Sequence, residues 1–229
     1  MFGRLYGLFG YLGLMTFAAA FLMGWRHDAS APLSNVVADV VLFAAFIAVH
    51  IAMTMPAFKR AVFGRPEGTP RERRTFVTIS IVTWVALWAL HRPIPGPAFE
   101  SPTWLQYLGT CAVLLALVAF FEFATFEGLA SLLGLPGRTL SHSVGSETPL
   151  LTEGPYAQVR HPMYRAATAL CFSSLLVHPN VAQLLFAVVA SLGFLGFVPF
   201  EERQLLRARG EEYRAYMAVT RYRVFRGVW

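Results

Sequence analysis

The sequence predicts an all-α fold, a polytopic transmembrane helical bundle of five to six spans with a C-terminal interfacial amphipathic helix. Three observations predict it. Of 229 residues, 56% are hydrophobic and only 14% are charged, where a soluble domain carries about a quarter. Mean hydropathy is +0.52. The apolar residues gather in runs, the longest of them near the ~20 residues that cross a bilayer, with the charge set between runs and towards the C-terminus.

The first run, about 5–25, follows Arg4 and has neither the short apolar core nor the clear cleavage site of a signal peptide, so it reads as a first span. The second, about 33–55, contains Asp39 and His50 and ends at Pro56. Lys59, Arg60, Arg65, Arg71, Arg73 and Arg74 then form the first dense positive block, which places this loop on the cytoplasmic side. A third span covers about 76–90. His91 to Pro97 carries too much proline for regular helix and reads as an outer loop. The fourth span, about 104–123, approaches Glu122 and Glu127 at its far end.

Residues 134–153 are polar and punctuated by Gly, Ser and Pro, the composition of a loop that could act as a lid. The fifth span, about 163–177, is short for a crossing and is expected to tilt. His178-Pro179-Asn180 turns it into a sixth, about 181–200, so the two form a hairpin. After Phe200 the charges return. Leu205, Leu206, Tyr213, Tyr216 and Val219 recur among them at a spacing that suits an amphipathic or broken helix along the membrane face, within a C-terminal segment 201–229. The chain reads as a single integral membrane domain, 1–229, with both termini cytoplasmic.

The net charge of +6 sits in loops and tail. It therefore points to membrane lipid and topology, and away from nucleic acid. Cys111 and Cys171 fall inside apolar runs and read as small buried hydrophobes. No metal site is expected.

Gly154-Pro155-Tyr156 and Arg160-His161-Pro162-Met163-Tyr164 pack a guanidinium, an imidazole and two phenols just ahead of an apolar run. Pro162 disfavours the α conformation at His161 and suits the first turn of a helix. Two readings stay open: an anion site beside helix N–H groups, or a basic, aromatic anchor at the membrane edge. The hairpin brings this stretch beside Glu201 and Glu202. Asp39, near the opposite end, reads as a polar helix contact, and Tyr213 and Tyr216 as packing or as ligand contacts.

These pieces, followed by Tyr213-Arg214-Ala215-Tyr216, resemble the signature of the isoprenylcysteine carboxyl methyltransferase-like membrane family, which includes phospholipid N-methyltransferases and bacterial thiol methyltransferases. The match covers roughly the last third of the chain. The His50 to Arg60 and Arg71 to Arg73 stretches are similar to the bacterial branch, which contains methanethiol S-methyltransferases and relatives of a nitric-oxide-metabolism membrane protein. The resemblance implies a methyltransferase using S-adenosylmethionine in a bacterial inner membrane, acting on a small or lipophilic methyl acceptor, a thiol first. It implies donor contacts at Tyr156, Arg160, His161, Tyr164, Glu201 and Glu202, with His161 and Glu202 catalytic. His50, at the inner end of its span, reads either as helix packing or as lining the acceptor cavity. Three departures stand out: Arg165-Ala166-Ala167 where relatives often carry glycine, Glu122 to Gly128 where thiol methyltransferases carry His and Asp, and a tail without the usual proline. Two rival classes are a haem-binding electron carrier using His50 with His161 or His91 with His178, and a non-catalytic membrane subunit.

Overall fold

The computed structural model describes residues 2–64, 70–126 and 150–229. The expected lid lies outside them up to residue 149, as do Arg65 and Glu127, and Glu122 is described in backbone only. Six long helices occupy the six apolar runs: α1 (Phe2–Met23), α2 (Ser34–Thr54), α4 (Pro70–Leu90), α5 (Thr103–Phe126), α6 (Pro162–Val177) and α7 (Val181–Arg209). Two short α-helices, α3 (Pro56–Phe63) and α8 (Glu211–Val219), and one 3-10 turn (Gly154–Ala157) complete the set among the described residues. Ser34–Thr54, Thr103–Phe120 and Val181–Arg209 are long and apolar enough to cross a membrane, and Arg74–Leu90 is a shorter apolar helix. The protein is an integral membrane helical bundle.

Local chemistry sets the breaks. Pro56 and Pro162 each occupy the first turn of their helix, where the missing N–H costs nothing. Gly64 closes α3 at φ 72°, a conformation that favours glycine. Asn180 caps α7 by accepting from the Gln183 N–H at 2.9 Å.

The expected proline-rich loop is knitted into the end of the bundle. The Ile94 N–H donates to the Arg26 carbonyl at 3.1 Å, and the Val181 N–H to the Pro97 carbonyl at 3.2 Å. His91 is buried there, between the Asp39 carboxylate on one ring nitrogen and the Arg26 N–H on the other. Asp39 is thus the polar helix contact expected of it. Both His91 nitrogens are occupied, and His178 bonds the Leu22 carbonyl at 2.7 Å through Nε2, so neither is arranged as an axial haem ligand.

Packing is densest between α5 and α6, then within the α6–α7 hairpin, with α4 against α1 and α2. Gly109 of α5 allows that closeness, because a Cβ there would meet the Leu176 side chain at 2.6 Å. The main core joins Phe21, Trp25, Trp84, Leu170 and Phe186 near the middle and proline-loop end. A second cluster sits at the opposite, basic end: Leu150, Leu151, Tyr156, Leu205, Tyr213 and Tyr216.

One expectation is corrected. The sixth helix does not stop near Phe200. It runs on through Glu201 and Glu202 to Arg209, 29 residues in all. Pro199 lies inside the helix without ending it, no glycine or proline interrupts 200–209, and the helix breaks at Gly210, at φ 55°. The amphipathic segment is therefore the extension of α7 followed by the short α8.

Candidate functional site

Pro162 holds His161 off the helix, at φ −127° and ψ 66°. This turns the main chain of Arg160 and His161 outward, and the tail after α8 folds back to meet it. The Arg160 N–H donates to the Tyr222 carbonyl at 2.9 Å, and the His161 N–H to the Arg223 carbonyl at 2.8 Å. The tail thus engages the two main-chain N–H groups that immediately precede the helix.

Inside this return lies a buried charge cluster. Arg160, His161 and Glu202 are 5%, 4% and 3% exposed, and charges so buried require partners. Arg160 Nε donates to Glu202 Oε1 at 2.6 Å, while its Nη1 donates to the Thr220 and Arg221 carbonyls at 2.9 and 2.8 Å. Arg223 Nε donates to Glu202 Oε2 at 2.9 Å. Glu202 thus sits between two guanidiniums, each on a different oxygen.

Glu201 is different. Its side chain is 24% exposed and accepts the Tyr164 hydroxyl at 2.8 Å. The two ring nitrogens of His161 each face a carboxylate at 3.4 Å, Nδ1 towards Glu201 and Nε2 towards Glu202. The His161 ring stacks on Tyr164 at 5.6 Å, and Tyr164 on Phe194 at 5.9 Å. Three rings therefore lead from the carboxylates towards the apolar body of the bundle.

Burial pushes the His161 imidazole towards neutrality, but hydrogen bonds and charge from Glu201 and Glu202 outweigh it, and its pKa is raised above 6.5. Such a raised pKa gives stability that is complete below the unfolded value of 6.5 and is lost as pH rises through the folded value. Melting midpoints of wild type and His161→Asn are expected to differ most below that unfolded value and to converge as pH rises. A gap independent of pH would show His161 to be uncharged.

The remaining expected residues are placed as follows. Tyr156 is buried in the second core, and its carbonyl accepts the Tyr216 hydroxyl at 2.8 Å. Burial raises the Tyr213 and Tyr216 phenols, so both stay neutral. His50 stands on α2, bonded through Nδ1 to the Phe46 carbonyl at 2.8 Å and packed on Phe46 and Phe76. One turn earlier, Ile47 reaches Gly193 of α7. Sequence reasoning missed Thr220 and Arg223. The arginines of the tail were the only signal for them, and these looked like surface charge. Arg160, Arg221, Tyr222, Arg223, Val228 and Trp229 line an open groove of about 280 Å³ on the tail side.

The family model described as phospholipid methyltransferase matches residues 105–211. The chain is 32% identical over 200 residues to the methanethiol S-methyltransferase of Pseudomonas deceptionensis, covering 82% of this chain and 71% of that protein. It is 30% identical over 199 residues to the protein of the same name from Mycobacterium tuberculosis, covering 83% and 78%. With that of Pseudomonas sp. (strain GM41(2012)) identity is 28% over 234 residues, covering 93% and 86%.

Proposed function

We propose that this chain, which belongs to the family of membrane methyltransferases that includes the methanethiol S-methyltransferases, transfers a methyl group from S-adenosylmethionine to a small thiol. The observation that carries the reading is Glu201, a part-exposed carboxylate at the head of the His161–Tyr164–Phe194 ring stack. S-adenosylmethionine, when bound, supplies an electrophilic methyl on a sulfonium and presents an ammonium, ribose hydroxyls and a carboxylate.

The residues present fit such a molecule. Glu201 takes the ammonium or a ribose hydroxyl by a charge-assisted hydrogen bond. Tyr164, whose hydroxyl donates to Glu201, fixes that carboxylate for the donor. Arg221, in the groove with Tyr222 and Trp229, suits a carboxylate. Arg160 and Glu202 hold each other and fix His161, and so preorganise the site. His161, whose pKa is raised by the two carboxylates, lies between them and faces each with one ring nitrogen. Glu201 alone of the two has solvent access, so it is the group through which the thiol proton leaves. Positioning in line with the methyl supplies most of the acceleration.

The acceptor enters from the lipid side along the ring stack, where an apolar thiol is favoured over a charged one. His50 lines that approach from α2. The basic loop between α2 and α4, the charge cluster and the tail share one end, which faces the cytoplasm of a bacterial inner membrane with both termini on that side. The whole chain forms one domain.

Calorimetry on detergent-purified protein should give saturable binding of S-adenosylmethionine and its demethylated product, and turnover with methanethiol should give the methyl thioether by gas chromatography. Folded protein that binds neither nucleoside would overturn the donor. Donor binding with methylation of a lipid amine and no thiol would overturn the acceptor only.

A further inference from the structure

Arg223 lies beyond the residues matched by the family model, yet its side chain ends in the charge cluster. Its Nε holds the Glu202 oxygen that Arg160 does not, at 2.9 Å. Its carbonyl takes the His161 N–H at 2.8 Å. From outside, the Trp229 ring centroid lies 5.1 Å from its guanidinium carbon. The Arg223 and Val224 N–H groups donate to the main-chain oxygen of Trp229 at 2.9 and 3.2 Å. The turn is closed by the Val228 and Trp229 N–H groups on the Phe225 carbonyl, at 3.2 and 3.1 Å, with Gly227 at φ 83°.

An exposed ion pair would contribute little. Here the Glu202 side chain is 4% exposed and that of Arg223 33%, so the pair is shielded on the carboxylate side. A glutamate's last torsion is soft. With only Arg160 and His161 to hold it, the Glu202 carboxylate would turn towards them. The second guanidinium fixes its plane, and Trp229 fixes that guanidinium.

We propose that Arg223, held in place by Trp229, is a positioning residue for methyl transfer: it locks Glu202 onto Arg160 and His161, so that Glu201 alone is presented to the donor. Its kinetic consequences rest on the function proposed above, while the locking of Glu202 does not.

The test compares Arg223→Ala, Arg223→Lys, Trp229→Ala and Trp229→Phe with Arg226→Ala, an exposed arginine in the same turn. The first readout needs no donor. It is the titration of ¹³C-labelled His161, assigned by its loss in His161→Ala. Arg223→Ala removes a cation beside Glu202 and should move the His161 midpoint further up. Trp229→Ala should move it the same way by less, Trp229→Phe by less again, and Arg226→Ala not at all. The second readout is kinetic. The donor KM should rise about tenfold in Arg223→Ala and about threefold in Trp229→Ala, with kcat at saturating donor changed far less and Arg223→Lys restoring part of the loss.

An unmoved His161 titration in Arg223→Ala, or Trp229→Ala indistinguishable from Trp229→Phe, overturns the proposal. A shifted titration in protein that binds no donor even as wild type supports the locking of Glu202 and removes the methyl-donor reading instead.

Discussion

Replacing Arg160 with alanine should loosen the whole basic end of the bundle and abolish turnover. The guanidinium satisfies one oxygen of Glu202 and the carbonyls of Thr220 and Arg221, all within a site 3–5% exposed. Alanine would leave those acceptors buried without their donor. Removing one partner of a buried ion pair costs about 3–5 kcal/mol. Arg223 still holds the other oxygen of Glu202, so the lower part of that range is expected. Thermal unfolding in detergent should show a lower midpoint, and hydrogen exchange should localise the loss to residues 150–161 and 220–229. Lysine should recover only part, because its ammonium cannot reproduce the fork that reaches Glu202 and two carbonyls. The double replacement Arg160→Met with Glu202→Met should regain stability relative to either single change and stay inactive. A melting midpoint equal to wild type in Arg160→Ala would show that the cluster does not hold the tail.

Glutamine at Glu201 and glutamine at Glu202 should fail in different ways, although the residues are neighbours. Glu201→Gln should leave the melting midpoint close to wild type and weaken S-adenosylmethionine binding by roughly 10- to 150-fold, the worth of one hydrogen bond to a charged group. Glu202→Gln removes the charge between two guanidiniums. It should lower the midpoint first, and donor affinity only as the site loosens. Paired calorimetry and melting curves separate the two. Equal losses of affinity with unchanged midpoints would mean that both carboxylates face the donor, and the division of labour drawn from their burial would fall.

The sequence by itself determined the helices. Their apolar runs are long, and Pro56, Pro162 and the His178-Pro179-Asn180 turn punctuate them with residues whose effect is local. It also determined that Arg160, His161 and Tyr164 would meet Glu201 and Glu202, because a tight hairpin brings the entrance of α6 beside the exit of α7. The continuation of α7 past Phe200 was hidden, because Pro199 and the change from apolar to charged composition both mark a boundary there, and the helix nonetheless runs on to Arg209. The tail's return was not legible. It rests on main-chain hydrogen bonds between 160–161 and 222–223, and main-chain complementarity leaves no periodicity in side chains.

Only the tertiary structure decided which carboxylate is buried. Adjacent residues on a helix point about 100° apart, so one of Glu201 and Glu202 had to turn inward and the other towards the opening. That choice depends on the rotation of α7 about its axis, which its packing against α6 and the folded-back tail sets and no local pattern records.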